Sequence, residues 1–184
     1  MQLTAVRAAA ASAVLALAGC ATPGPADGGV PPLRLAPASL GRTLDLQQHL
    51  TLTAAGREQQ MDVLLEADPA HVQLAIVAMG QLAARIGWDG HALTEWRSPW
   101  WPAAVPTTRI LDDMQLSLWP LAAVQAALPA GWQASEAGDT RTLADDGEPV
   151  VVIRRVGADV IEFEQRRARY RLTIVSAPAG RAAP

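Results

Sequence analysis

LDLQQHLTLTAAGREQQMDVLLEADP, residues 44–69, reads as two strands joined by a turn. Leu44, Leu46, Leu50, Leu52 and Ala54 alternate with Asp45, Gln47, His49, Thr51 and Thr53, and only Gln48 interrupts the apolar row. Successive side chains on a strand point to opposite faces, so such a row is the buried side of a half-buried strand. Gly56-Arg57 supplies the turn, Met61, Val63, Leu65 and Ala67 a second row, and Asp68-Pro69 the stop. Two strands cannot cover their own apolar face, so the chain must add more sheet and something to lie on it.

The same period continues downstream. Val72, Leu74, Ile76 and Ala78 form a third row, and Leu82, Ala84, Ile86 and Trp88 a fourth. Asp89-Gly90 is a tight-hairpin signal leading into a fifth strand over His91 to Arg97. Trp100-Trp101-Pro102 to Pro106 breaks the pattern. Thr107 or Thr108 then caps a helix whose expected buried face is Ile110, Leu111, Met114 and Leu118, with Arg109 and Asp113 on the opposite side. Pro120 opens a second short helix carrying Leu121, Val124 and Leu128, ended by Pro129-Ala130-Gly131. Strands resume over Trp132–Glu136, Thr140–Ala144, Val150–Val156, Ile161–Glu164 and Tyr170–Ile174, with Asp145-Asp146-Gly147 and Gly157-Ala158-Asp159 as turns. The expectation is a mainly β fold of about ten antiparallel strands, a curved sheet with two short helices as lid or plug.

Ahead of this domain, Met1–Arg7 carries one positive charge and Ala8–Ala18 carries none, the layout of a secretory signal. An apolar run of about eleven residues is too short to span a bilayer, which needs ~20. Leu17-Ala18-Gly19-Cys20 closes it and resembles the lipobox of bacterial lipoproteins. That resemblance implies cleavage before Cys20 and acylation of its thiol. Residues 1–19 are thus expected as signal, 20–40 as acylated Cys and Pro/Gly-rich tether, 41–176 as the folded domain, and 177–184 as a disordered tail.

Cys20 is the sole cysteine, so disulfides and multi-Cys metal sites are excluded. Without Arg7 the chain has 14 Arg, no Lys and 18 acids, a formal charge of −4. A mildly acidic chain lacks the basic stripe of a general nucleic-acid binder. His49, His71 and His91 have no Asp, Glu or Cys at ligand or triad spacing, and no glycine-rich phosphate loop or G-x-S-x-G occurs. Asp112 and Asp113 are adjacent on a helix and point in different directions. No catalysis, cofactor or metal is expected.

The lipobox, the Met79-Gly80 hairpin tip, Gly87-Trp88-Asp89-Gly90, Ile110 to Leu116 followed by Trp119-Pro120, and Tyr170-Arg171-Leu172 together resemble the outer-membrane lipoprotein acceptor LolB and its periplasmic partner LolA. They resemble more closely a family of LolB-like lipoproteins encoded with aryl-polyene and fatty-acyl biosynthesis genes. The resemblance spans most of residues 40–176. It implies a half-open barrel whose helical lid covers an apolar cavity for acyl chains, with lipoprotein acyl groups or a polyketide-type lipid as cargo and a LolA-like donor as partner. Ala21 in place of Asp implies sorting to the outer membrane, facing the periplasm, with inner-membrane retention as the other destination. In LolB an exposed Leu before a Gly at the corresponding tip is implicated in pushing lipoproteins into the membrane. Met79 and Gly80 stand at that place here, with Val77-Ala78 where LolB has Asn-Pro.

The residues expected to line the acyl cavity are Leu74, Ile76, Leu82, Ile86, Trp88 and Trp96, and, from the helical region, Trp100, Trp101, Ile110, Met114, Leu118 and Trp119. Indole joins an apolar body to one N–H donor, which suits a pocket wall or a membrane rim. For any one Trp, ordinary core packing competes with that role. The alternative for the whole protein is an envelope scaffold with a closed core that recruits protein partners.

Overall fold

In a computed structural model the described residues are 29–103 and 105–180; the expected signal, Cys20 and the end of the tail lie outside them. Five strands, β1 (Leu44–Ala54), β2 (Arg57–Ala67), β3 (Val72–Ala78), β4 (Gln81–Trp88) and β5 (Leu93–Arg97), precede the helices α1 (Thr107–Leu118) and α2 (Leu121–Ala127). Five follow: β6 (Trp132–Ala137), β7 (Thr140–Asp145), β8 (Glu148–Val156), β9 (Val160–Gln165) and β10 (Tyr170–Pro178). All pairings are antiparallel, in the order β5-β4-β3-β2-β1-β10-β9-β8-β7-β6. The two ends of the domain therefore meet at the middle of one sheet, through pairs such as Leu50 with Ile174. The edges, β5 and β6, are the strands that flank the helices. The sheet is not closed into a barrel.

Antiparallel register gives the sheet two ends. At one lie Leu44, Ala67, Val72 and Trp88, neighbours by pairing. At the other lie the hairpin tips Ala55-Gly56 and Met79-Gly80 and the turn 166–169. Residues 30–40 run along α1 from beside Arg167, and 35–40 close the first end against Trp88 and Gly90. Val30, Leu33, Leu35 and Leu40 are buried with the sheet's Leu65 and Val72, and Pro37–Leu40 forms a 3-10 turn. The expected tether is thus shorter than 20–40, because its apolar residues join the core although they follow no regular period. At the C-terminus Ala177 and Pro178, expected in the tail, pair with Gln47 and Leu46.

Two strand details depart from the simple period. A β-bulge between β3 and β4 pairs Ile76 with Ala84 but Val77 with Leu82. The extra residue moves Leu82 to the outer face, away from the row of Ala84, Ile86 and Trp88. Asp89-Gly90 belongs to a loop of Asp89–Ala92 between the paired Trp88 and Leu93, not to a two-residue hairpin. The Asp89 carboxylate accepts the N–H groups of Ala92 and His91, which holds its pKa below the ordinary carboxylate value.

Helix α1 is covered far more widely than its apolar stripe requires. Leu111, Met114 and Leu116 are buried, but so are Arg109, Asp112, Asp113, Gln115 and Ser117. Arg109 and Asp113 were expected on an exposed side; the sheet, β10 and residues 30–40 enclose the helix instead. A buried polar group left without a partner is costly. Asp112 accepts the Leu33 N–H (3.1 Å), and Gln115 accepts the Leu35 N–H (3.1 Å) while donating to the Leu35 carbonyl (3.0 Å). Trp88 and Trp119 donate their indole N–H groups to the carbonyls of Leu35 and Ala36. At the C-terminal end of α1, Arg141 and Arg155 donate to the Leu116 and Ser117 carbonyls, and Glu136 pairs with both guanidiniums. Cations at this end also complement the helix dipole. At the N-terminal end no side chain caps the helix; Thr107 donates its hydroxyl to Glu95 of β5. The expected lid is fastened at both ends and along its middle.

Gln115→Leu keeps the side chain's bulk and orphans the buried Leu35 N–H. We expect a loss of about 1–3 kcal/mol, read as a lower urea midpoint with an unchanged denaturant slope.

Candidate functional site

Between α1 and the inner face of the sheet lies a cavity of about 680 Å³, within the ~300–1,000 Å³ range of ligand pockets. Its walls are the inward rows of β1, β2, β3, β9 and β10, one side of α1, and the loop that begins at Trp100. Leu74, Val63, Gln48 and Ile174 line its depth, Ala54, Met79 and Ala168 its tip end. The mouth therefore opens among the hairpin tips, opposite the end closed by residues 35–40.

The lining is apolar almost throughout. The polar exceptions are Gln48, Gln59, Gln60 and Ser117, and one ionisable cluster: Arg109 and Asp113 of α1 with Tyr170 of β10. Arg109 Nη2 and the Tyr170 hydroxyl donate to the two carboxylate oxygens of Asp113, and Arg109 Nε donates to the Tyr170 oxygen at 3.3 Å. Tyr170 is held against Phe163 by a stacked pair with centroids 6.0 Å apart. Burial drives the Asp113 carboxyl up to about 6, while the Arg109 charge and the Tyr170 hydrogen bond pull it down. Burial and the neighbouring Asp113 charge raise Tyr170, which stays protonated.

Of the residues expected to line an acyl cavity, Leu74, Ile76, Trp100, Trp101, Ile110, Met114 and Leu118 border this one. Five do not. Leu82 faces outward beyond the bulge. Ile86 and Trp88 are buried away from the cavity, and the Trp88 indole serves residue 35. Trp96 pairs with the exposed Arg85 on the outer face and is 48% exposed. Trp119 is fully buried and hydrogen-bonded to Ala36 and Ser39. In these last two buried cases the indole N–H finds a backbone carbonyl, which is what a Trp needs to enter a core.

Met79 borders the mouth and is 82% exposed. With Gly80 it forms a two-residue hairpin closed by the Ala78–Gln81 pair, and both have positive φ, 54° and 72°. That turn favours Asn or Asp at the first position. A Met there accepts left-handed backbone and exposed apolar surface together, two costs with no packing return inside the chain.

Sequence reading missed Arg109, Asp113 and Tyr170 as site residues. The one available signal was the i,i+4 spacing of Arg109 and Asp113. Among the described residues no three His, Cys, Asp or Glu side chains gather as a metal site, and no helix is long and apolar enough to cross a membrane.

The folded Asp113 holds its proton more tightly than an ordinary carboxyl. Its contribution to stability is therefore full below its ordinary 3.8 and lost as pH rises through about 6. Tyr170→Phe removes a hydrogen bond to the ionised form. We expect the Asp113 midpoint to move above that of the native protein, with a cost of about 1–3 kcal/mol at neutral pH. A carboxyl-carbon NMR titration and denaturant melts across the same pH range measure both.

No curated protein matches the chain. Residues 45–178, from the start of β1 to the end of β10, match the family model described as "Protein of unknown function (DUF3261)". The match covers well over half of the sequence, and the chain belongs to that family.

Proposed function

We propose that this protein is a lipid-anchored envelope protein that binds, and hands on, an acylated molecule in the cavity beneath α1. The observation that carries the reading is an apolar space of about 680 Å³ opening beside an exposed apolar hairpin tip. Burying a hydrocarbon chain there removes apolar lining and apolar ligand from water together, worth about 0.8 kcal/mol per methylene. No energy source is needed; transfer runs down a gradient of affinity. The likeness to LolB adds the cargo class, acyl chains of lipoproteins or of polyketide-type lipids, and a LolA-like donor. It also supplies the outer membrane as the location and Cys20 as the anchor. Anchoring through Cys20 leaves the domain free to present its tips to a bilayer.

Met79 has a mechanical place in this reading. An exposed Met at a hairpin tip enters lipid at little cost and keeps the mouth against the membrane while cargo passes. The enclosing contacts of α1 favour entry through the mouth, past the Trp100–Pro106 loop, over lifting of the helix.

Native mass spectrometry of the full chain carrying Cys20→Ser should show co-purified acyl ligands. An empty domain that also refuses added acyl chains contradicts the proposal and leaves the scaffold reading. Met79→Glu is expected to fold normally, keep ligand binding, and lose most transfer to vesicles; undiminished transfer removes the wedge role.

A further inference from the structure

We propose that the cavity's ligand is an amphiphile headed by a carboxylate, received by Arg109 with Asp113 as its proton-accepting partner. The inference rests on the acyl-binding reading above and names the head group that accompanies the chain.

The cluster is complete except on one side. Arg109 spends Nε on Tyr170 and Nη2 on Asp113, and its Nη1 has no partner among the described residues. That atom is not sealed in protein, since it is not among the buried atoms left without a partner. Arg109 borders the cavity, and its guanidinium is the cationic group in that lining. Tyr170 has its hydroxyl hydrogen on Asp113 and its oxygen facing Arg109, and both Asp113 oxygens are occupied. The unspent donors of the three are all guanidinium N–H, which call for an oxygen acceptor.

Charge decides which acceptor. Arg109 stays protonated at every relevant pH, whereas Asp113 takes a proton near 6. When it does, an uncompensated cation faces an apolar chamber, and an entering carboxylate neutralises it. The charged and titratable groups facing Asp113 are Arg109 and Asp112 on α1 and Tyr170 on β10. Among the described residues no other titratable side chain borders the cavity. A ligand carboxylate adds a second negative charge beside Asp113 and pushes its pKa further up, so binding takes up a proton from solvent. Location agrees: Arg109 opens the first turn of α1 and Tyr170 starts β10, near the mouth, while Leu74 and Ile174 lie deeper. The head stays at the rim and the tail runs inward. A second hollow on the outer face shares Ala54 and Tyr170 with the cavity wall; it is lined by Arg166, Arg169 and Arg171 together with Glu164, which pairs with Arg166 and Arg171.

The test compares dodecanoate with dodecanol on the full Cys20→Ser chain, by calorimetry between about pH 5.5 and 8. A purely apolar cavity prefers dodecanol, because a carboxylate loses hydration on entering. We expect dodecanoate to bind at least tenfold more tightly near pH 6. Its affinity should fall by up to tenfold per pH unit above that, with dodecanol flat throughout. Tighter, pH-independent dodecanol binding overturns the head-group assignment and leaves the acyl cavity standing. Binding of neither overturns the acyl reading as well. In Arg109→Gln/Asp113→Asn, which removes both charges together, dodecanol binding should persist and the preference for dodecanoate vanish. A preference that survives assigns the anion to another group and defeats the proposal. If the double variant does not fold, the native comparison alone decides.

Discussion

Helix α1 is buried on nearly every side, and its polar side chains leave it no freedom about what covers it. Asp112 and Gln115 demand backbone partners, and residues 33–35 are the segment that supplies them. Leaving such groups unpaired costs about 1–3 kcal/mol each, so the segment before β1 must close one end of the sheet. The carbonyls left unpaired at the helix C-terminus similarly fix the buried Arg141 and its partner Glu136. These bonds hold the helix on the sides away from the cavity; on the cavity side Arg109 and Asp113 reach across to Tyr170 of β10.

The topology gives this arrangement its polarity. Since β1 pairs with β10, the sheet's edges fall at the helices and its hairpin tips gather at one end. One end is plugged by the chain's own leading segment. The other presents Met79, Trp100 and the 166–169 turn around a mouth. A single ionisable cluster sits just inside it. An apolar chamber with one polar post near its opening suits a long apolar tail with one polar head, and it suits few other ligands.

Much of the sheet was legible because period-two alternation is a local property. Leu44 through Ala54 and Met61 through Ala67 take the faces their spacing assigns, and Gln48, the one break in the first row, turns out to face the cavity. Leu82 was misassigned because a bulge is one extra residue and leaves no mark on composition. Residues 30–40 read as tether because three prolines, following Gly28-Gly29, hide an aperiodic set of core residues. The exposed face expected for Arg109 and Asp113 failed for a different reason. A helix wheel records how apolar a face is, not how many neighbours enclose it, and the partner Tyr170 lies 57 positions from Asp113.

Whether the chamber is preformed beneath a fixed helix is the claim on which the rest turns. Amide hydrogen exchange of the protein, with and without bound dodecanoate, tests it most directly. The account predicts that α1 amides are strongly protected in both states, while protection changes at the Met79 hairpin and the loop beginning at Trp100. Rapid exchange throughout α1 in the empty protein, suppressed on binding, would show a helix that lifts and contradict it.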